Sequence, residues 1–358
     1  MKRICYLTNS LNPTNGWGRF STELIYHSKA QGVEPLVVSA DEYLPTLLKD
    51  IEVLRSPTFG KLPSLSSLKL HKLASSCDLV HCLTEPLIPT LNFTIKPFLI
   101  NLIGTYCILP LAGNKAFFYR RAYRKAAKII SISNYTAKQF IAKMPEYAAK
   151  LNVIPLGVSN FFLNATAPDL TFRKNLLLLV GHVKPRKGLL ELLLALKELK
   201  NDYPQLKLHV AGPLLDSQYL TIAQKLISDF GLEERVVFLS QISDLELLRQ
   251  MSEARALVVP STNKNGHFEG FGLVHLEAHA LGTPSIGSLD CGNEDVIKHD
   301  NNGYLTKQQD TAELIAAIKN IFDDKTWLRL SSNAKLSVQK YSWTSIFNQY
   351  LEIYESIG

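Results

Sequence analysis

Two carboxylates, Glu269 and Glu277, bracket the run Gly270-Phe271-Gly272-Leu273-Val274-His275-Leu276. A carboxylate accepts two hydrogen bonds through each oxygen, which suits it to the hydroxyls of a sugar or a ribose. The pattern puts Glu269 in a glycine-containing loop and Glu277 two turns inside the helix that follows. Leu273, Leu276 and Ala280 form the buried stripe of that helix. The N–H groups of Phe271, Gly272 and Leu273 fall at the helix start, where no intrahelical acceptor exists, so a phosphate or sugar hydroxyl can take them. Leu281-Gly282-Thr283-Pro284 then stops the helix. Two surface carboxylates meeting by chance is the plain alternative, and the surrounding glycines and aromatics argue against it.

Two further loops carry phosphate-type chemistry. Gly181-His182-Val183-Lys184-Pro185-Arg186-Lys187-Gly188 follows an apolar strand and places Arg186 and Lys187 beside a helix start. Cations and backbone N–H groups together hold phosphate there. The spacing is not that of a Walker A loop. Near the N-terminus, Asn15-Gly16-Trp17-Gly18-Arg19 lies between the first strand and a helix running from about Phe20 to Gln31, and Gly16 and Gly18 let backbone approach a diphosphate. No third glycine follows, so the dinucleotide fingerprint is missing and a nicotinamide enzyme is disfavoured. A lone G-x-G turn serves structure as often as function.

Positioning these loops requires a repeated strand–loop–helix unit. Short apolar runs recur at Ile4–Leu7, Pro35–Ser39, Leu79–His81, Phe98–Leu102 and Lys128–Ser133. After a stretch without period from Pro155 to Lys174, read as a linker, they resume at Leu176–Val180, Lys207–Ala211, Val236–Leu239 and Ala256–Val259. Continuous apolar runs between helical patterns predict parallel strands covered on both faces, the doubly wound α/β arrangement. The 358 residues suffice for two such domains with a ligand cleft between them. An amphipathic helix from Trp343 to Ile357 closes the chain.

Composition narrows the classes. Hydrophobic residues at 46% with 20% charged describe an ordered globular protein. The apolar run after Arg3 stops at Thr8, too short for a secretory leader, and no run approaches a membrane span, so the expected location is the cytoplasm. Five cysteines without a C-x-x-C pair point to reduced, mostly buried thiols. The sequons at Asn92, Asn134 and Asn164 carry no weight without secretion. A net charge of +7 concentrates in the first half, at Lys115, Arg120, Arg121, Arg124, Lys125 and Lys128. Such a stripe holds phosphates, nucleic acid or an anionic membrane face, or is simply a solvated helix face. No nucleic-acid motif accompanies it, and nucleic acid is not expected as a partner.

Together these motifs resemble retaining glycosyltransferase family 4 of the GT-B fold. The resemblance runs nearly end to end: the Gly-Trp-Gly-Arg loop, Asp78-Leu79-Val80-His81, Ser131-Ile132-Ser133, Val153 to Val158, Arg186-Lys187-Gly188, the E-x7-E segment and Tyr341-Ser342-Trp343. It implies two facing Rossmann-like doubly wound domains with an inter-domain cleft. Residues 1–160 would bind the acceptor, with the terminal helix 342–358 packing back on them, and residues 170–340 would bind a nucleotide sugar.

The resemblance also implies transfer of a hexose-type sugar from a nucleoside diphosphate sugar to an acceptor hydroxyl with retained configuration. The setting would be polysaccharide or envelope glycan and glycolipid assembly. A GT-B-like protein that binds nucleotide sugar without transferring is the alternative. Lys187 matches the diphosphate-binding lysine, with Arg186 beside it. Glu277 matches the ribose-holding glutamate and Glu269 the one beside the transferred sugar, while backbone at Phe271, Gly272 and Leu273 holds phosphate or sugar. Gly16 and Gly18 would close over the diphosphate. Lys187 and Glu269 are the expected catalytic pair. No D-x-D motif occurs, and neither metal nor other cofactor is expected. The acceptor would be a glycan or lipid-linked, with peripheral membrane contact through the basic N-terminal half. Two departures stand out: His182 occupies a position where many members have Arg, and Ile103 one where many have His. His81 is a strand-end substitute to test, against the reading of a packed core histidine.

Overall fold

The computed structural model describes residues 2–55, 63–165 and 173–357. The chain divides into two compact units, Met1–Gly157 with Trp343–Gly358, and Val158–Ser342.

Unit 1 is built on parallel strands β1 (Arg3–Thr8), β2 (Glu34–Ser39), β3 (Glu52–Arg55), β4 (Leu79–Cys82), β5 (Phe98–Leu102), β6 (Lys128–Ser131) and β7 (Leu151–Val153). Their order is β3-β2-β1-β4-β5-β6-β7. Its helices are α1 (Gly16–Ala30), α2 (Pro63–Leu73), α3 (Ala116–Lys125) and α4 (Asn134–Lys143), joined by the terminal helix Trp343–Ser356. Ile4 to Leu7 and Leu99 to Ile100 are fully buried, as strands covered on both faces must be. The edge strands β3 and β7 are half-exposed and of mixed composition, which is why no apolar run marks them.

The first helix corrects the sequence reading. Residues Gly16 to Arg19 are its opening turn, not a loop before it. Asn15 has extended backbone, and its Oδ1 accepts the Gly18 N–H at 2.9 Å, an N-cap that starts the helix four residues before Phe20. The Asn15 bond offsets part of the backbone entropy that two glycines cost in this turn. The terminal helix buries Trp343, Phe347, Tyr350 and Tyr354 within unit 1. Trp343 stacks on His27 at 5.9 Å, and a Cβ on Gly157 would stand 2.5 Å from its ring.

Unit 2 opens with the short helix α5 (Asn160–Leu163), capped by Ser159, inside the segment read as linker. The rest of that segment, residues 166–172 with Pro168 and Asp169, lies outside the described residues. Parallel strands β8 (Leu176–Val180), β9 (Lys207–Ala211), β10 (Val236–Ser240), β11 (Ala256–Val258), β12 (Ser285–Ser288) and β13 (Gly303–Thr306) follow. They lie in the order β10-β9-β8-β11-β12-β13. Helices α6 (Leu189–Leu199), α7 (Ser217–Asp229), α8 (Asp244–Glu253), α9 (Leu273–Ala280), α10 (Asn293–Val296), α11 (Thr311–Phe322) and α12 (Asp324–Ser337) connect and cover the sheet. The sequence reading omits β12 and β13. Both are fully buried, yet they are built partly from Ser, Gly and Thr because the backbones pack closely: a Cβ on Gly303 would lie 2.1 Å from the Ser285 carbonyl oxygen.

Both sheets reverse direction beside their first strand, between β1 and β4 and between β8 and β11. In doubly wound sheets ligands bind outside the carboxyl ends of the strands at this switch point. The loops after β8, β11 and β12 converge there in unit 2.

Candidate functional site

The loop after β8 ends in a 3₁₀ turn, Pro185–Lys187, and Gly188 then leads into α6 with φ of +71°. Only glycine fits at 188, because a Cβ would stand 2.0 Å from the Pro260 carbonyl oxygen. This close approach seats the β8 loop against the segment following β11, and the Thr262 N–H donates to the Arg186 carbonyl at 2.9 Å. The segment after β12 locks on from the other side, where the Gly292 N–H donates to the Glu269 carbonyl at 2.8 Å.

Within this frame Glu269 Oε2 accepts from both Arg186 Nη1 and Lys187 Nζ, each at 2.6 Å. The three side chains are 11–18% exposed, so the charges interact with little solvent screening. Burial by itself would raise the Glu269 pKa, but Arg186 and Lys187 outweigh it and hold the carboxyl far below its usual range. Burial lowers the Lys187 pKa, and Glu269 opposes that shift. His182, the departure from arginine, has its pKa lowered by partial burial and by Lys184, Lys187 and Arg186, which favours the neutral ring. The site is therefore a buried carboxylate shared by two cations, aligned by three loops.

Helix α9 follows Gly272, whose φ is +91°. Glu277 lies in its second turn and is 2% exposed. Every residue from His275 to Ala280 is buried, whereas Leu273 is only partly so. A stripe is thus the wrong description: α9 is a core helix, enclosed all round. Phe271 is buried edge-on against Tyr341 at 6.4 Å. The sequence reading assigned nothing to His275, His279, Ser288 or Asn293. In each a buried side-chain nitrogen or oxygen has no hydrogen-bond partner among the described residues. Asn293 and His275 pack on Gly272, since a Cβ there would meet Asn293 Nδ2 at 2.6 Å and His275 Cδ2 at 2.8 Å. For the two histidines the sequence signal was their place on a mostly apolar helix, whereas Ser288 and Asn293 had none.

Gly16 and Gly18 lie in unit 1, at the start of α1. A Cβ on Gly18 would strike the Asn12 carbonyl oxygen at 1.9 Å, so this glycine is required by its own turn, whereas position 16 is sterically open. His81 is a packed core residue. Its Nδ1 lies 2.8 Å from the Tyr354 hydroxyl and its Nε2 2.6 Å from Asn101 Oδ1, and burial lowers its pKa to about 4.

The loop at Ile103 is organised by a residue the sequence did not single out. Glu85 Oε1 accepts from the Ile103 and Gly104 N–H groups at 2.6 and 3.0 Å, while its buried Oε2 has no partner. Burial raises the Glu85 pKa to about 7, against the opposing pull of these N–H groups. A carboxyl with a raised folded pKa stabilises the fold below its unfolded pKa, and that stability is lost as pH rises through the folded value. Relative to wild type, Glu85→Gln should therefore gain roughly 3 kcal/mol between about pH 4 and about pH 8. Urea unfolding at both pH values checks this, and an equal difference at the two would refute it.

Each unit is a doubly wound parallel sheet whose strands reverse beside its first strand, and the solved structures that superpose on the chain give it the GT-B fold. Residues 167–338, within unit 2, match the model of the family Glycosyl transferases group 1. The crystal structure of Anabaena Alr3699/HepE in complex with UDP and glucose superposes with a TM-score of 0.81 at 23% identity, covering 99% of this chain and 100% of that one. WaaG, a glycosyltransferase involved in lipopolysaccharide biosynthesis, superposes at 0.74 with 17% identity over 98% and 99%. The MMP alpha-(1->4)-mannosyltransferase of Mycolicibacterium hassiacum is 28% identical over 244 residues, 66% of this chain and 56% of the relative. The D-inositol 3-phosphate glycosyltransferase of Corynebacterium efficiens is 30% identical over 179 residues, 49% and 41%. The chain spans about half the length of the curated relatives it matches. Among the described residues no helix is long and apolar enough to cross a membrane, and no group of three His, Cys, Asp or Glu is arranged to hold a metal ion.

Proposed function

We propose that the chain is a retaining glycosyltransferase, of the family 4 type, that moves a hexose-type sugar from a nucleoside diphosphate sugar to an acceptor hydroxyl. The observation that carries this reading is the Arg186–Lys187–Glu269 cluster at the carboxyl ends of β8 and β11. Two buried cations suit a diphosphate, and a carboxylate held ionised beside them suits the hydroxyls of the attached sugar. Lys187 and Arg186 bind the diphosphate and stabilise the charge that grows on it as the bond to the sugar's anomeric carbon breaks. Glu269 orients the sugar, Glu277 the ribose, and the N-terminal N–H groups of α9 around Phe271, Gly272 and Leu273 hold phosphate or sugar. In unit 1, Gly16 and Gly18 are the proposed diphosphate contacts.

The acceptor oxygen bonds the anomeric carbon on the face the diphosphate leaves. Its proton passes to a departing phosphate oxygen, so the configuration is retained and no protein nucleophile is needed. With protein cations on the diphosphate, the reaction requires no metal or other cofactor. The product belongs to polysaccharide or envelope glycan and glycolipid assembly, at the cytoplasmic side.

A thermal-shift panel of UDP-, GDP-, ADP- and dTDP-sugars tests the donor, because a ligand that binds the native state raises Tm. UDP-glucose heads the panel, since Anabaena Alr3699/HepE has been crystallised with it. One nucleotide class should raise Tm, and the anomeric signal of the product should match that of the donor. A flat panel, or an inverted product, removes the assignment.

A further inference from the structure

Of the three tryptophans, Trp327 and Trp343 are buried, whereas Trp17 stays partly in solvent. It sits between Gly16 and Gly18 in the opening turn of α1, after β1. Its indole meets the Tyr106 ring edge-on, with centroids 5.4 Å apart. Tyr106 belongs to a 3₁₀ turn, Thr105–Cys107, in the loop after β5, and is 45% exposed. Strands β1 and β5 flank β4, so the two rings meet past the end of β4, beside the switch point of the unit 1 sheet. Hydrogen bonds fix both ring-bearing segments. Glu85 Oε1 accepts from the Ile103 and Gly104 N–H groups just ahead of Tyr106, and the Tyr123 hydroxyl donates to the Cys107 carbonyl at 3.0 Å. The Asn15 cap holds the turn that carries Trp17.

Two fixed, part-exposed aromatic rings at a ligand-binding sheet edge present an apolar π face within polar surroundings. A pyranose ring has the matching chemistry. Its axial C–H groups form an apolar face of slight positive charge, which stacks on the negative face of an aromatic ring, while its hydroxyls stay hydrogen-bonded at the rim. We propose that Tyr106, braced by Trp17, is the platform on which a pyranose ring of a glycan acceptor stacks. That the bound sugar is the acceptor rests on the glycosyl-transfer reading; that a sugar binds here does not.

Saturation-transfer difference NMR on the full chain tests this with the methyl glycosides of glucose, galactose, mannose and N-acetylglucosamine, beside cyclohexanol and uridine. At least one glycoside should receive saturation, strongest at the C–H groups of one ring face. Tyr106→Ala, checked by circular dichroism for an intact fold, should weaken its binding about fivefold, and Tyr106→Phe should retain it. Phe117→Ala, which removes a ring 67% exposed on α3, should leave it unchanged. No saturation of any of the four glycosides overturns the proposal, as does unaltered binding by Tyr106→Ala. Equal saturation of cyclohexanol, or displacement of the glycoside by uridine, overturns it too, assigning the rings to a general apolar group or to a nucleoside base. Donor binding is read separately by thermal shift, so a flat donor panel with a Tyr106-dependent glycoside signal removes the transferase and keeps the sugar subsite.

Discussion

Lys187→Ala should reduce sugar transfer by about a thousandfold, the largest effect of any single substitution in the site. The Lys187 side chain is 11% exposed and fixed 2.6 Å from Glu269 Oε2, so a diphosphate bound as proposed would meet an ammonium already oriented and poorly solvated. A charge in that state stabilises a developing anion far better than one that must first reorganise its water. Removing it also leaves the buried Glu269 carboxylate with Arg186 alone. The variant should therefore lose roughly 2 kcal/mol of stability as well, less than for a carboxylate left without any partner. Combining Lys187→Ala with Glu269→Gln should recover most of that stability without recovering transfer, because the unbalanced charge is gone while the diphosphate cation is still missing. Transfer rates of all three variants, read beside their urea midpoints, separate the two effects. A Lys187→Ala rate within tenfold of wild type would falsify the role assigned here.

Acid should unfold this protein unusually early. His81, His275 and His279 are fully buried, and burial depresses their pKa values to about 4, about 3 and about 3, with His279 and Lys187 adding to the shift of His275. A histidine whose folded pKa is depressed contributes stability that is present above its unfolded pKa, near 6.5, and lost as pH falls towards the folded value. At pH 5 the unfolded chain binds a proton on each ring that the native chain refuses, costing roughly 2 kcal/mol per histidine. Glu85 works in the opposite direction over the same range, returning roughly 2 kcal/mol as it is protonated. The net loss from pH 7 to pH 5 is then about 4 kcal/mol, a large part of the stability of an ordinary domain. His279→Met, which keeps an unbranched apolar volume, should lessen the loss by roughly 2 kcal/mol at pH 5. If its acid profile runs parallel to wild type, the neutral buried ring is not the cause.

The histidines also mark where sequence reasoning stopped. Strands β1, β5 and β8 were legible because burial on both faces demands apolar runs, and Ile4–Leu7 and Leu176–Val180 provide unbroken ones, with Phe98–Leu102 interrupted only at Asn101. Strands β12 and β13 were not, because close backbone packing there replaces apolar side chains with Ser and Gly. The start of α1 was misplaced for a related reason. Gly16 and Gly18 read as a loop, yet the Asn15 cap and the approach of Asn12 make them a helical turn.

What the sequence determined by itself was the chemistry available: two glutamates with seven residues between them, an Arg-Lys pair before a glycine, and the alternation that builds parallel sheets. Those follow from residue type and local period, which need no knowledge of distant neighbours. Only the tertiary structure decided that Arg186 and Lys187 close on Glu269, more than eighty positions away, since that pairing depends on how the loops after β8, β11 and β12 meet at one strand edge. It likewise decided that Glu85 holds the Ile103 loop and that His81 belongs to the core. Burial and long-range hydrogen bonding are properties of the packed fold, and no spacing along the chain encodes them.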